Sequence, residues 1–111
     1  MTDRELLEDA AKAGGYWNDF ALDEDGQPIF DEVRGFQLGF GRGWWHAGND
    51  DGDALRLAVK LGILVFTARG FVVANSVDSG GEVIRIAIES DPYAAGRRAI
   101  VRAAAAIGAS K

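Results

Sequence analysis

The spacing of apolar and polar residues predicts three helices, which lie near the start, the middle and the end of the chain. In each of them apolar residues recur roughly every three to four positions, the period of an amphipathic helix. The three segments are residues 3–13, 51–61 and 92–107. Thr2 or Asp3 can cap the first helix, and Asp50 or Asp51 can cap the second. Pro92 suits the first turn of the third helix.

Each of these helices is expected to bury one face. Because residues three and four positions apart lie on the same side of a helix, the apolar positions define the predicted buried stripes. The stripes are Ala54, Leu55, Ala58, Val59 and Leu61 on the second helix and Tyr93, Ile100, Ala104 and Ile107 on the third.

Between the second and third helices the pattern predicts three antiparallel strands. The strands are residues 63–66, 71–77 and 82–89. They are joined by the glycine-ended turns "TARG" and "DSGG". Ile84, Ile86 and Ile88 share one face of the last strand, as in a strand buried on one side.

The segment before the second helix is less regular. "FALDEDGQPIF" (20–30) places a turn sequence between two apolar runs and predicts a hairpin. Residues 33–43 alternate only in part and contain four glycines, so both an edge strand and a mobile loop stay open. The whole order of elements predicts a single small α+β domain over residues 1–111. Its antiparallel sheet has about three to five strands, with helices packed on one face.

Charge and composition narrow the classes of function. The chain has a net charge of −5, but residues 1–53 carry thirteen acidic and four basic side chains, whereas residues 54–111 carry four and eight. An acidic half disfavours non-specific nucleic-acid binding, while a basic patch on the second half stays open. The chain has no cysteine, an acidic amino terminus unlike a signal peptide, and no apolar run of the roughly 20 residues that span a membrane. We therefore expect a cytoplasmic protein without membrane contact.

Acidic residues at two places resemble calcium loops. Asp23, Asp25, Gly26 and Glu32 fall at four positions of an EF-hand loop, but Ala21 occupies its first position. A second frame begins at Asn49 and has an alanine in place of the glycine. A hairpin turn and a helix cap explain these residues better. One histidine without cysteine also disfavours zinc, so we expect neither a metal nor a cofactor.

"GWWHAGNDDGDALRL" (43–57) raises the question of catalysis, because His46 stands beside several aspartates. No serine or other nucleophile lies near it in sequence, and "GFGRG" (39–43) lacks the spacing of a nucleotide-binding loop. We therefore expect a protein that is not an enzyme. A hydrolase that uses His46 and Asp51 is the third-ranked hypothesis.

Adjacent tryptophans make the same stretch a candidate binding surface. Neighbouring residues of an extended chain point to opposite sides, so one of the two is expected near the surface. Tryptophan and arginine dominate binding hot spots. The candidate binding residues are Trp44, Trp45, Arg42, Arg56, Lys60, Arg98 and Arg102.

"WWHAGNDDGDALRLAVKLGI" (44–63) resembles the central motif of an uncharacterised family of small phage and prophage proteins. The opening segment "TDRELLEDAAKAGG" and the closing segment "DPYAAGRRAIVRAAAAIG" are similar to those of the family as well. The chain departs from the family pattern where His46-Ala47-Gly48 replaces Asn-Pro-Leu. The resemblance implies a protein derived from a mobile element that works in the bacterial cytoplasm.

Two hypotheses for function follow. The first is a non-enzymatic interaction or regulatory module that binds a host or phage protein. The second is a nucleic-acid or nucleotide binder that combines Trp44 or Trp45 with the basic second half, including Arg97.

Overall fold

The computed structural model describes residues 2–76 and 83–109, which form an α+β fold of three helices and six short strands. The helices are α1 (Asp3–Gly14), α2 (Asp51–Leu61) and α3 (Pro92–Ala109). The strands are β1 (Phe30–Asp31), β2 (Gly35–Gln37), β3 (Trp44–Trp45), β4 (Ile63–Ala68), β5 (Phe71–Ser76) and β6 (Val83–Ala87). The predicted fold class is confirmed. The "DSGG" turn and the strand ends at 77 and 82 lie outside the described residues.

Helix boundaries follow the capping chemistry in the sequence. Thr2 caps α1 in a reciprocal capping box with Glu5. Asp50 caps α2, where its carboxylate accepts the backbone N–H of Asp53 at 2.7 Å. Gly15 and Gly62 end the two helices in the left-handed conformation, at φ 78° and 66°.

The strands form two separate antiparallel sheets. The first joins β1, β2 and β3, and pairs Phe36 with Trp45. The second joins β4, β5 and β6. We predicted one sheet of about three to five strands, whereas the structure has two sheets. In the chain, α2 separates β1–β3 from β4–β6, and the strands of the first sheet are only two or three residues long.

The irregular segment before α2 forms a hairpin, a strand and a 3₁₀ turn. Of the alternatives for residues 33–43, a strand forms at 35–37, but it lies in the middle of its sheet and not at the edge. Leu22 bridges Pro28 across the "DEDG" turn, which confirms the predicted hairpin. Residues 35–37 form a strand, and a 3₁₀ turn at Gly39–Gly41 follows it. Phe40 in this turn adopts φ 60°. Glycine-rich sequence therefore interrupts the strand after three residues.

The core lies where the helices and the two sheets pack against one another. Small residues of α1 pack against α3, and α3 covers one face of the second sheet. The first sheet lies over an aromatic cluster in which the Phe20 and Phe36 rings stack at 4.7 Å.

Two of the predicted buried stripes are wrong in part. Leu55 and Val59 of α2 are 63% and 74% exposed, whereas Leu57 is fully buried. Apolar residues surround most of this helix, so the pattern alone could not choose which face packs. Tyr93, in the first turn of α3, is 71% exposed, whereas Ile100 and Ala104 further along the helix are buried. The predicted shared face of Ile84, Ile86 and Ile88 is correct.

Candidate functional site

The adjacent tryptophans do not form an open binding platform. Trp45 is 3% exposed and stacks on Tyr16 with ring centroids 5.1 Å apart, so it belongs to the core. Trp44 is half-buried, and the guanidinium of Arg34 lies 4.4 Å from its ring centroid. One of the two does lie nearer the surface, as predicted, but an arginine of the same chain covers it.

The predicted basic residues outside α3 have partners within the chain. Arg42 donates to the carbonyl of Gly39 at 3.1 Å. Arg56 donates to Asp53 at 2.7 Å, and this hydrogen bond raises the pKa of Arg56. The ammonium of Lys60 lies 4.7 Å from the centroid of the Tyr16 ring. Because groups of the same chain contact Arg42, Arg56 and Lys60, these residues offer little free positive charge to a ligand bound near the tryptophans.

The acidic stretch before α2 serves the protein's own groups. Asp50 caps the helix, and Asp51 accepts from Arg97 at 2.6 Å. Asp53 is buried and accepts the backbone N–H of His46 at 3.0 Å as well as the Arg56 bond. Within residues 2–76 and 83–109, no group of acidic or imidazole side chains could hold a metal ion.

His46 is fixed by backbone groups on both ring nitrogens. Its Nδ1 accepts the N–H of Gly48 at 3.1 Å, and its Nε2 lies 3.3 Å from the carbonyl oxygen of Glu32. An acceptor at Nδ1 and a donor at Nε2 define the neutral imidazole with the proton on Nε2. Burial is the main cause that lowers the pKa of His46. The aspartate nearest to its backbone is Asp53, while Asp51 is held by Arg97, so the arrangement does not pair His46 with an orienting acid.

Arginines of α3 line a groove between α1 and α3. The groove has a volume of about 550 Å³. We call it the arginine groove; its cations are Arg4, Arg97, Arg98 and Arg102. Sequence reasoning proposed Arg98 and Arg102 as binding residues, and the structure brings these two together here. The tryptophans and the α2 cations do not line it.

The second sheet has an apolar face that faces away from α3. Strand register places one set of side chains on this side, and Val72, Ala74 and Ile86 on the buried side. We call it the outer sheet face; its residues are Leu64, Phe66, Ala68, Phe71, Val73, Asn75, Val83, Arg85 and Ala87, and Val73 at its centre is only 8% exposed. Leu64, Phe66 and Val83 are each more than half exposed, and Phe71 is 45% exposed.

The outer sheet face was not predicted from the sequence, because the strands of this sheet were expected to carry an apolar face on one side only. The signal was present: every residue of 64–66 and 71–73 is apolar, so both faces of each strand carry apolar side chains. This pattern is typical of a strand that is covered on both sides. The structure covers only one of them within the described residues.

Comparison with protein-family models, with curated proteins and with solved structures finds no match to this chain. In the part of the chain that the structure describes, none of the helices combines the length and the apolar character that crossing a membrane requires.

Proposed function

We propose that the protein is a small non-enzymatic interaction module, and that it docks an amphipathic helix of a partner protein on the outer sheet face. The exposed apolar face of the second sheet is the observation that carries this proposal. The largest apolar patch on a soluble monomer is typically about 300–600 Å² and is often functional.

The area of the patch favours a helix over a second copy of the chain. Leu64, Phe66, Phe71 and Val83 are each about half exposed. With large side chains of roughly 200 Å² each, they offer about 400 Å². A stable dimer needs about 800 Å² on each partner, so packing two such faces together falls short, and a helix on the same area is expected to bind weakly and reversibly. One helix laid on three strands matches the available area, as α3 does on the opposite face.

Charges at the edge of the face indicate which helix fits. Arg85 lies on the outer sheet face, and Arg69 occupies the β4–β5 turn; both are exposed. No acidic side chain lies on the outer sheet face among the described strand residues. A helix with an apolar stripe and acidic flanks therefore complements this surface.

The resemblance of residues 44–63 to phage and prophage proteins supports a further part of the proposal: that the module is encoded by a mobile element and acts in the bacterial cytoplasm. Binding of a nucleic acid is the weaker candidate, since Trp45 is buried and the cations of α2 are engaged within the chain.

Two synthetic peptides test the proposed docking. Both have about 18 residues, five helical turns, with a leucine stripe; one has glutamate and the other lysine at the remaining positions. We expect the glutamate peptide to shift the backbone amide signals of β4, β5 and β6 in a heteronuclear NMR titration, and the lysine peptide to bind at least about tenfold more weakly. Shifts spread over the first sheet instead, or no shifts with either peptide, would contradict the proposal.

Self-association must be measured on the same sample. We expect light scattering after size-exclusion chromatography to give the mass of a monomer, because the patch is too small for a stable dimer. A dimer that β4 substitutions dissociate would show that a second copy occupies the face, and would overturn the proposed helical partner.

A further inference from the structure

The arginine groove has the dimensions and the mixed lining of a small-molecule site. Its volume of about 550 Å³ falls within the range of ligand pockets. Leu6, Leu7, Phe30 and Val101 supply an apolar lining, and the start of α1 and the middle of α3 form its two long walls.

Two of its arginines lack the partners that the other two have. Arg4 pairs with Glu8 at 3.2 Å, and Arg97 pairs with Asp51. Arg98 and Arg102 form no ion pair with any acidic side chain among the described residues, although the chain as a whole has an excess of acidic residues. Both are exposed. Their charge is therefore available to an external anion.

Their spacing concentrates that charge. Arg98 and Arg102 are one helical turn apart, so both guanidinium groups project from the same side of α3. Like charges at this spacing repel each other and destabilise a helix. An oxyanion held between the two side chains would remove this repulsion and accept several charge-assisted hydrogen bonds.

The opposite wall limits what else the ligand can carry. Asp3 and Glu32 line it, and negative charge there repels a second anionic group. The anionic end must therefore lie against α3, and the remainder of the ligand must be uncharged or cationic and partly apolar.

We infer that the arginine groove binds a small organic anion, with its carboxylate or phosphate between Arg98 and Arg102 and its apolar part against Phe30 and Val101. The groove is lined by residues of α1, α3, β1 and the loops next to β1 and before α2, and by none of the second sheet, so the inference does not rest on the proposed docking face.

Three probes of similar size test this inference: phenyl phosphate, phenylacetate and neutral benzyl alcohol. In NMR titrations of the full chain at low salt, we expect the two anions to shift the amides of residues 2–7, 46–49 and 94–102, and the alcohol to bind at least about tenfold more weakly. The stronger of the two anions identifies phosphate or carboxylate as the preferred group. Equal binding of benzyl alcohol, or no shift in these segments with either anion, would overturn the site.

A matched pair of variants separates the groove from general charge. R98Q/R102Q should weaken binding of the preferred anion at least about tenfold, since the anion loses its charged hydrogen-bond donors. R69Q/R85Q removes the same charge from the second sheet and should leave the affinity unchanged. Equal loss in both variants would show non-specific attraction and contradict the inference. Thermal melts of both variants confirm that each remains folded.

Discussion

Asp53 shows how one side chain ties several parts of the molecule together. Asp53 is 9% exposed and lies in the first turn of α2, and its carboxylate accepts both the His46 N–H and the Arg56 guanidinium. A buried carboxylate with these partners neutralises a cation and satisfies a backbone donor at once. The acidic residues that resembled a binding site in the sequence are therefore part of the architecture.

Asp53→Asn should destabilise the fold by about 1–3 kcal/mol, because the His46 N–H and Arg56 lose a charged acceptor in a partly buried place. Urea denaturation measures the free energy of unfolding. Asp25→Asn, in the exposed hairpin turn, is the matched control and should change it by less than about 0.5 kcal/mol. Equal effects of both substitutions would contradict the role of Asp53.

His46 should give the stability a specific dependence on pH. Burial lowers its pKa in the folded state below the ordinary value of 6.5, so the unfolded chain takes up a proton at higher pH than the folded one. Stability due to His46 is therefore full above pH 6.5 and falls as the pH drops from there towards the lowered folded value. Melting temperatures between about pH 7.5 and 5.5 should fall more for the wild type than for His46→Gln. Parallel curves would contradict the buried neutral imidazole.

The sequence predicts single residues well where the partner is near in the chain. Thr2 and Asp50 as helix caps depend on groups three residues along the chain, and both are confirmed. The bond from Arg97 to the Gly48 carbonyl joins residues 49 apart, and only the fold reveals it.

At the scale of elements, α3 is the centre of the molecule, since α1, α2 and the second sheet all pack against it. Its amino-terminal half is joined to the loop before α2 by Arg97, which donates to Gly48 at 3.0 Å and pairs with Asp51. Its carboxyl-terminal end meets α1 closely at Gly108, where an added Cβ would overlap the backbone of Asp9.

Arg97→Gln should lower the free energy of unfolding by about 1–3 kcal/mol, because a side chain only 17% exposed loses its pairing with Asp51 and leaves the Gly48 carbonyl without its charged donor. Arg98→Gln changes the neighbouring, exposed residue and should have an effect below about 0.5 kcal/mol. Chemical denaturation of the two variants side by side checks this difference. If they prove equal, Arg97 does not join α3 to α2.

Two glycines of α3 should respond to alanine in opposite directions. Gly96 has open space around it, so Gly96→Ala should stabilise the protein by about 0.5–1 kcal/mol through helix propensity. Gly108→Ala should destabilise it by about 1–3 kcal/mol, because α1 and α3 must move apart. Thermal melts give both signs, and a gain in both variants would contradict the close contact of the two helices.

The helices and the second sheet were predictable because their signals are local: capping residues, helical period and glycine-ended turns. The buried face of α2 was not, because apolar residues surround it and only its neighbours select Leu57 over Leu55. The two-sheet arrangement was also not predictable, since strands as short as Trp44–Trp45 leave almost no periodic signal.

At the scale of the whole molecule, the two sides of the second sheet differ. The sheet packs α3 on one side and exposes an apolar surface on the other. The candidate binding residues from the sequence also fall into two groups. Arg98 and Arg102 line the arginine groove, whereas Trp45 is buried in the core. The pattern could identify exposed arginines, but it could not show which side of a sheet stays open.

The affinity of the glutamate-flanked peptide for two variants tests the docking face most directly. L64Q/F66Q places polar groups on the outer sheet face, and L22Q/V33Q changes two apolar residues near the first sheet that are at least as exposed. We expect isothermal titration to show at least about tenfold weaker binding to L64Q/F66Q, because two apolar anchors are lost, and unchanged binding to L22Q/V33Q. Equal affinity of both variants and the wild type would contradict the outer sheet face as the docking surface.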